Sequence, residues 1–196
     1  MWYRFSRFIL LSILKLFFCF KTEGRENIPE KGGFILAANH VSYLDPIAVG
    51  AGCTRPVHFM ARDNLFVHPF LSAWLKAVEV IPLKRNAADL SAIKQGLRAI
   101  RKGGALALFP EGTRRTREDM YLNPEPGVGF LAAKGEVPVI PVFVSGTDKA
   151  MPKQARSLRL AKISVRFGRE IHIERGRPYQ EISNLIMANI KELSNN

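Results

Sequence analysis

Two short stretches of this 196-residue chain combine residue types that do chemistry. In the first, Asn39-His40-Val41-Ser42-Tyr43-Leu44-Asp45, a carboxylate follows a histidine after five positions. Histidine is the side chain best matched to proton transfer near neutral pH. A carboxylate on its far nitrogen fixes the tautomer and raises basicity. Five residues cover about one and a half helical turns, so a bent strand–helix junction brings His40 and Asp45 together. The pair corresponds to the His–Asp half of a serine-hydrolase triad, but no Gly-x-Ser-x-Gly elbow supplies a nucleophile. The nucleophile is then a hydroxyl on the substrate. On spacing alone, the same residues also fit a structural loop histidine and a helix-capping aspartate.

The second stretch is Pro110-Glu111-Gly112-Thr113-Arg114-Arg115-Thr116-Arg117. It joins a glycine, which permits special backbone angles, to three arginines within four positions. Arginine forks match phosphate oxygens bidentately. Arg85, also at a strand end, is placed to face the same cleft, and Glu111 to orient an arginine or a substrate hydroxyl. A solvated basic loop is the plainer reading. His58, His68 and His172 have no carboxylate at a telling spacing and read as structural. Lys94, Arg98, Arg101 and Lys102 read as a solvated or membrane-facing helix surface. No P-loop, dinucleotide fingerprint or zinc-ligand spacing is present.

The elements that must position these residues follow from periodicity. Gly33 to Ala38 is an apolar run of buried-strand length that delivers His40 at its C-terminal end. Pro46 fits the first turn of the helix that follows, with Asp45 near its N-cap and Ser42 a competing cap. Short strands are expected at Pro56–Ala61 and Val78–Leu83, the latter peripheral because of Pro82. Helices are expected at Tyr43–Val49, Pro69–Ala77, Asn86–Lys102, Pro126–Lys134 and Pro178–Leu193. Leu71, Trp74 and Leu75 share one face of the second of these. Ala105–Phe109 is a buried strand ending in the arginine turn. Val137–Val144 is a core strand whose prolines, Pro138 and Pro141, imply an edge, a bulge or a bend. Late strands lie within Leu158–Phe167 and Glu170–Ile173, and Thr22–Lys31 reads as a loop. Strands alternating with helices predict an α/β fold, a mostly parallel or mixed sheet covered by helices.

Composition narrows the partners. The chain carries 29 Lys and Arg against 17 Asp and Glu, a formal charge of +12, with an ordinary apolar fraction of 47%. Such a balance suits a polyanion, an anionic membrane or a phosphorylated substrate. Residues 1–21 are aromatic-rich, carry Arg4, Arg7, Lys15 and Lys21, and contain no acid. Their longest charge-free run is too short to span a bilayer. A helix lying in the membrane interface fits them better than a cleaved signal peptide; a helix packed only on the core is the alternative. The expected organisation is an interface helix over 1–21 and a single catalytic domain over 22–196.

Taken together, the motifs are identified with a known pattern. Asn39-His40-Val41-Ser42-Tyr43-Leu44-Asp45, Ile81-Pro82-Leu83-Lys84-Arg85, Phe109-Pro110-Glu111-Gly112-Thr113-Arg114 and Val137-Pro138-Val139-Ile140-Pro141-Val142 occur in order. Gly24-Arg25-Glu26-Asn27-Ile28-Pro29 leads in. This set resembles the glycerophospholipid acyltransferase family, in its branch of small bacterial 1-acyl-glycerol-3-phosphate acyltransferases. The resemblance covers roughly residues 23 to 175. One departure is Lys84, where members often carry an acidic or small polar residue.

The resemblance implies a fatty acyl transfer from an acyl thioester, acyl-CoA or the thioester of acyl carrier protein, to the sn-2 hydroxyl of lysophosphatidate. His40 is implied as the base and Asp45 as its orienting partner. Arg85, Glu111, Gly112, Thr113 and Arg114 are implied around the acceptor's glycerol phosphate, and Pro141 in the acyl region. No cofactor or metal is implied beyond the thioester co-substrate. The implied partners are a lysophospholipid, acyl carrier protein and an anionic membrane surface at the cytoplasmic face of the cell membrane, with no nucleic acid. Glycerol 3-phosphate or another lysophospholipid as acceptor, and a non-catalytic basic membrane-binding module, are the alternatives.

Overall fold

The sheet is organised around β2 (Phe34–Ala38), five residues that are all fully buried. A strand with no polar alternation is covered on both faces, and its neighbours are arranged accordingly. β5 (Ala105–Leu108) and β6 (Val139–Ser145) flank β2 in parallel, with Ala37 opposite both Leu108 and Pro141. β3 (Val57–Arg62) pairs parallel with β5, and the edge strand β4 (Ile81–Leu83) pairs parallel with β3. On the other flank β7 (Ser164–Phe167) runs antiparallel to β6, and β1 (Lys21–Glu23) closes that edge in parallel with β7. The order is β1-β7-β6-β2-β5-β3-β4. The computed structural model describes every residue except 1, 85–88, 117, 118, 120, 122, 153, 154, 156 and 196.

Strand parity divides the core into two layers. Phe34, Leu36 and Ala38 of β2 and Ala105 and Ala107 of β5 pack with α1 (Trp2–Phe18) and α2 (Asp45–Gly52). Ile35, Ala37, Leu106 and Leu108 point the other way. They meet α4 (Leu90–Arg101), α5 (Pro126–Gly135) and α7 (Tyr179–Asn195). Each fully buried Leu, Ile or Phe on these faces contributes roughly 1.5–3 kcal/mol. α3 (Pro69–Ala77) joins β3 to β4, and the single turn α6 (Thr147–Ala150) follows β6. The inner stripe of α1, Leu14 and Phe18, belongs to the first layer, so α1 shares the core of the remaining chain.

Several boundaries differ from the sequence reading. The stretch from Thr22, expected as a loop, begins in β1, whose partner lies far along the chain and leaves no local signal. α4 starts at Leu90 because the Asp89 carboxylate accepts from the N–H groups of Ser91 and Ala92 and caps the helix. Its other oxygen accepts from Lys84 N, tying the end of β4 to the helix. These backbone N–H groups, Lys84's first, hold the Asp89 carboxyl below its usual range. The late strands shrink to β7 and a single bridge between Ile171 and Val139.

β6 is internal rather than an edge, and the other readings of its prolines apply. Between the Val142–Phe167 pair and the Val139–Ile171 bridge, β6 advances three residues and its partner four. The extra residue makes a bulge. Gly168 N donates to Pro141 O at 2.8 Å across it. The missing N–H of Pro141 thus falls where the ladder is already interrupted, which lets a proline sit inside a central strand.

Candidate active site

His40 and Glu111 lie just beyond the C-terminal ends of adjacent parallel strands, β2 and β5. Such strand ends are where an α/β sheet leaves a crevice. At the end of β2 the backbone turns away, and the Asn39 side chain takes over the ladder. Its Nδ2 donates to Val144 O at 2.9 Å, and its Oδ1 accepts from Val144 N at 2.7 Å. This side-chain bracket fixes the exit angle of the strand, so the direction of His40 is set before its own contacts are counted.

The dyad forms as the spacing predicts. His40 Nδ1 lies 2.9 Å from Asp45 Oδ2, with the His40 side chain 18% exposed and Asp45 fully buried. The same oxygen accepts from the N–H groups of Val41 and Ser42, each at 2.7 Å. Three donors on one carboxylate oxygen, at the positive N-terminal end of α2, offset the desolvation of a buried charge. Asp45 is the first residue of α2, whose N-cap is Leu44, so its carboxylate fastens the turn before the helix and orients His40 rather than capping the helix. With Nδ1 donating to a carboxylate, the neutral ring presents its lone pair at Nε2. Phe109 stacks on the imidazole, ring centroids 4.1 Å apart and planes 24° off parallel. Ser42 is not a free nucleophile: its hydroxyl donates to Met151 O at 2.9 Å and accepts from Leu44 N at 3.2 Å.

The second turn is bound to the first. Arg115 N donates to His40 O at 2.8 Å. Gly112 has φ of +63°, and a Cβ there would come within 2.8 Å of Glu125 Cγ. The angle therefore calls for glycine, whereas the close contact is with an exposed side chain that can shift. Arg114 stacks its guanidinium over the Tyr43 ring, 3.5 Å from the centroid, which brings the cation to the His40 turn. Arg114 Nη1 and Arg115 Nε are buried without a hydrogen-bond partner among the described residues. Thr113 is half-buried beside them.

Glu111 takes a different place from its neighbours. It is 1% exposed, and its oxygens face the N–H groups of His40 and of Glu111 itself without forming a hydrogen bond of good geometry. Burial raises its pKa to about 8; those N–H groups oppose the shift, and the Asp45 charge adds to it. At neutral pH it is mostly the uncharged acid, beneath the His40 turn. Pro141 is buried in mid-strand opposite Ala37, its ring close to Gly168. Arg85 lies outside the described residues. Among the described residues, no three His, Cys, Asp or Glu side chains come together as a metal site. The roles of Asn39, Tyr43 and Phe109 were not foreseen, although all three sit inside the recognised motifs. Motif adjacency was the available signal, but ring stacking and strand bracketing are directions in space.

Residues 19–145 match the protein family described as Acyltransferase. The chain belongs to the acyltransferase family and has its enzymatic fold. Among its relatives, the 1-acyl-sn-glycerol-3-phosphate acyltransferase of Bacillus subtilis is 30% identical over 172 residues, covering 87% of this chain and 82% of that protein. A chloroplastic 1-acyl-sn-glycerol-3-phosphate acyltransferase of Brassica napus is 32% identical over 157 residues. There the match covers 76% of this chain and 45% of the plant protein. The crystal structure of the 1-acyl-sn-glycerophosphate (LPA) acyltransferase PlsC of Thermotoga maritima superimposes with a TM-score of 0.80. It covers 99% of this chain and 82% of that one at 22% identity, and it shares the mixed α/β fold with its N-terminal helix.

Proposed function

We propose that this enzyme transfers a fatty acyl group from an acyl thioester to the sn-2 hydroxyl of 1-acyl-sn-glycerol 3-phosphate, forming phosphatidate. The observation that carries this reading is the His40–Asp45 dyad with no protein nucleophile beside it, joined to an arginine-bearing turn. His40 Nε2 takes the proton of the acceptor hydroxyl as the oxygen attacks the thioester carbonyl. The tetrahedral intermediate collapses by breaking the C–S bond, and His40 returns the proton to the departing thiolate. Asp45 holds the ring and balances the imidazolium while it exists. The N–H groups of Val41, Ser42 and Gly112 are already engaged within their turns, so the oxyanion is met by other donors.

Arg114 and Thr113, presented by the Gly112 turn, hold the acceptor phosphate in this reading, with Arg85 a further cation. Glu111 supports the turn from beneath, and Pro141 shapes the acyl region. Acyl carrier protein is the proposed donor partner beside acyl-CoA, its acidity suited to a chain of net charge +12.

The enzyme works at an anionic membrane on the cytoplasmic face. Trp2, Phe5, Ile9, Ile13 and Leu16 form an exposed ridge on α1, with Arg4 and Lys15 along one edge. Among the described residues, no helix is long and apolar enough to cross a membrane. The division at residues 1–21 and 22–196 is then one of role, interface helix and catalytic domain, within one core.

The test is thiol release from palmitoyl-CoA and from palmitoyl–acyl carrier protein, with and without 1-acyl-glycerol 3-phosphate. Acceptor-dependent release with phosphatidate as product, lost in H40A, supports the reading. Release with glycerol 3-phosphate alone moves the acceptor assignment. Absence of acceptor-dependent release with every acceptor tried leaves only a membrane-binding role.

A further inference from the structure

The N-terminal helix is not alone in turning apolar side chains outward. α3 buries Ser72 and Leu75 against the domain, and its opposite face carries Phe70, Ala73, Trp74 and Ala77, all exposed. These sit at helical i, i+3, i+4 and i+7, so they form one stripe. The turn before the helix adds Leu65 and Val67. Phe70 is 91% exposed and Val67 75%. A helix apolar on both sides belongs inside a protein or against something apolar, and a contiguous patch of this kind marks an interaction surface.

The patch is joined to α1. Trp74 Nε1 donates to Ser6 Oγ at 3.1 Å. At 100° per residue, Ser6 lies beside Trp2 and Ile13 on the flank of the outward ridge, and Arg4 and Lys15 lie on its other flank. The exposed ridge of α1 and the exposed stripe of α3 therefore meet along one edge.

We propose that Leu65, Val67, Phe70 and Trp74 form a second membrane-inserting element, continuous with the outer face of α1, that docks into the interfacial region of an anionic bilayer. This rests on the membrane role proposed above for α1 and extends it to a helix that the sequence reading gave no membrane role. Charge selects the occupant. α1 carries Arg4 and Lys15 at its exposed edge and no acid, and Arg62 and Lys76 are exposed around α3. Asp63 and Glu79, at the two ends of this segment, are the acids nearby. A second copy of the chain would bring two basic rims together, whereas an anionic surface neutralises them. A tryptophan with an apolar body and a hydrogen-bonded Nε1 suits the headgroup boundary. A single interfacial helix leaves the domain free to roll about its axis. A second contact beside it fixes which way the domain faces.

Trp2 and Trp74 are the two tryptophans of the chain, so W2F and W74F each leave one emitter. Each full-length variant is mixed with phosphatidylglycerol–phosphatidylethanolamine vesicles, plain or brominated at the upper acyl carbons. The expected result is bromine quenching and a blue shift of Trp74 in W2F, matching those of Trp2 in W74F. F70D is expected to lower vesicle partition on the order of tenfold. Quenching of Trp2 with none of Trp74 would overturn the proposal and leave α1 as the membrane element. Quenching of neither would remove the membrane role of α1 as well. A lipid-free dimer that F70D dissociates would overturn the proposal in favour of a second copy.

Discussion

The turn after β2 and the turn after β5 leave adjacent strands in the same direction, yet they are built by opposite rules. The first turns at once into α2 and commits its polar groups inward. Asp45 Oδ2 gathers His40, Val41 and Ser42, Asn39 brackets Val144, and the Ser42 hydroxyl spans Leu44 and Met151. α5 begins only at Pro126, so the second does not pass at once into a helix. It leaves arginine nitrogens without partners among the described residues and holds a carboxylic acid buried beneath His40. A closed turn pre-organises a proton acceptor, which must keep one geometry through the reaction. A turn with cationic capacity in reserve binds an anion that comes and goes. We propose that this difference assigns the β2 turn to chemistry and the β5 turn to recognition.

The largest test of that division is H40A. It removes the base and is expected to cost about a thousandfold in turnover, measured as acceptor-dependent thiol release, with little change in thermal stability. D45N keeps an oxygen for the backbone N–H groups but loses the charge that orients the ring. Its expected loss is about tenfold smaller, in kcat rather than in acceptor KM. If D45N alters KM alone, the closed turn is not the catalytic one. R114A should do the reverse, raising acceptor KM roughly ten- to a hundredfold with a smaller change in kcat, partly restored in R114K. A drop in kcat at unchanged KM would merge the two turns into one function.

The last test reads stability rather than turnover and concerns Glu111. Burial raises its pKa in the folded protein to about 8 from an ordinary 4.5. A carboxyl raised on folding favours the native state fully only below the unfolded value, and that contribution is lost as pH climbs from about 4.5 to about 8. Glutamine does not titrate. E111Q should therefore match wild type near pH 4 and gain stability relative to it towards pH 8, by on the order of a few kcal/mol. Equal melting differences at pH 5 and pH 8 would show that Glu111 is not held as the neutral acid.

What could be read along the chain tracks how local each feature is. The dyad was legible because Asp45 lies within the turn that begins at His40, and five residues leave the backbone few ways to arrange them. Pro69 to Ala77 was legible as a helix for the same reason, yet not its outward face. The choice between core and surface for Trp74 depends on what lies beyond it. β1 was missed because its hydrogen bonds go to β7, whose residues give no sign of it at Lys21 to Glu23.

The sequence by itself determined the alternation of strands and helices, the buried apolar run of β2, the histidine–aspartate spacing, and the glycine that the β5 turn requires. Each is a property of neighbouring residues, set by periodicity, chain reach or backbone sterics. Tertiary structure alone decided that Phe109 stacks on His40, that Arg114 lies over Tyr43, that Glu111 is sealed beneath the turn, and that a bulge opposite Gly168 admits Pro141 to a central strand. Those outcomes depend on which strands lie side by side and in what register. Register is settled by burying both faces of the sheet at once, a condition no single segment contains.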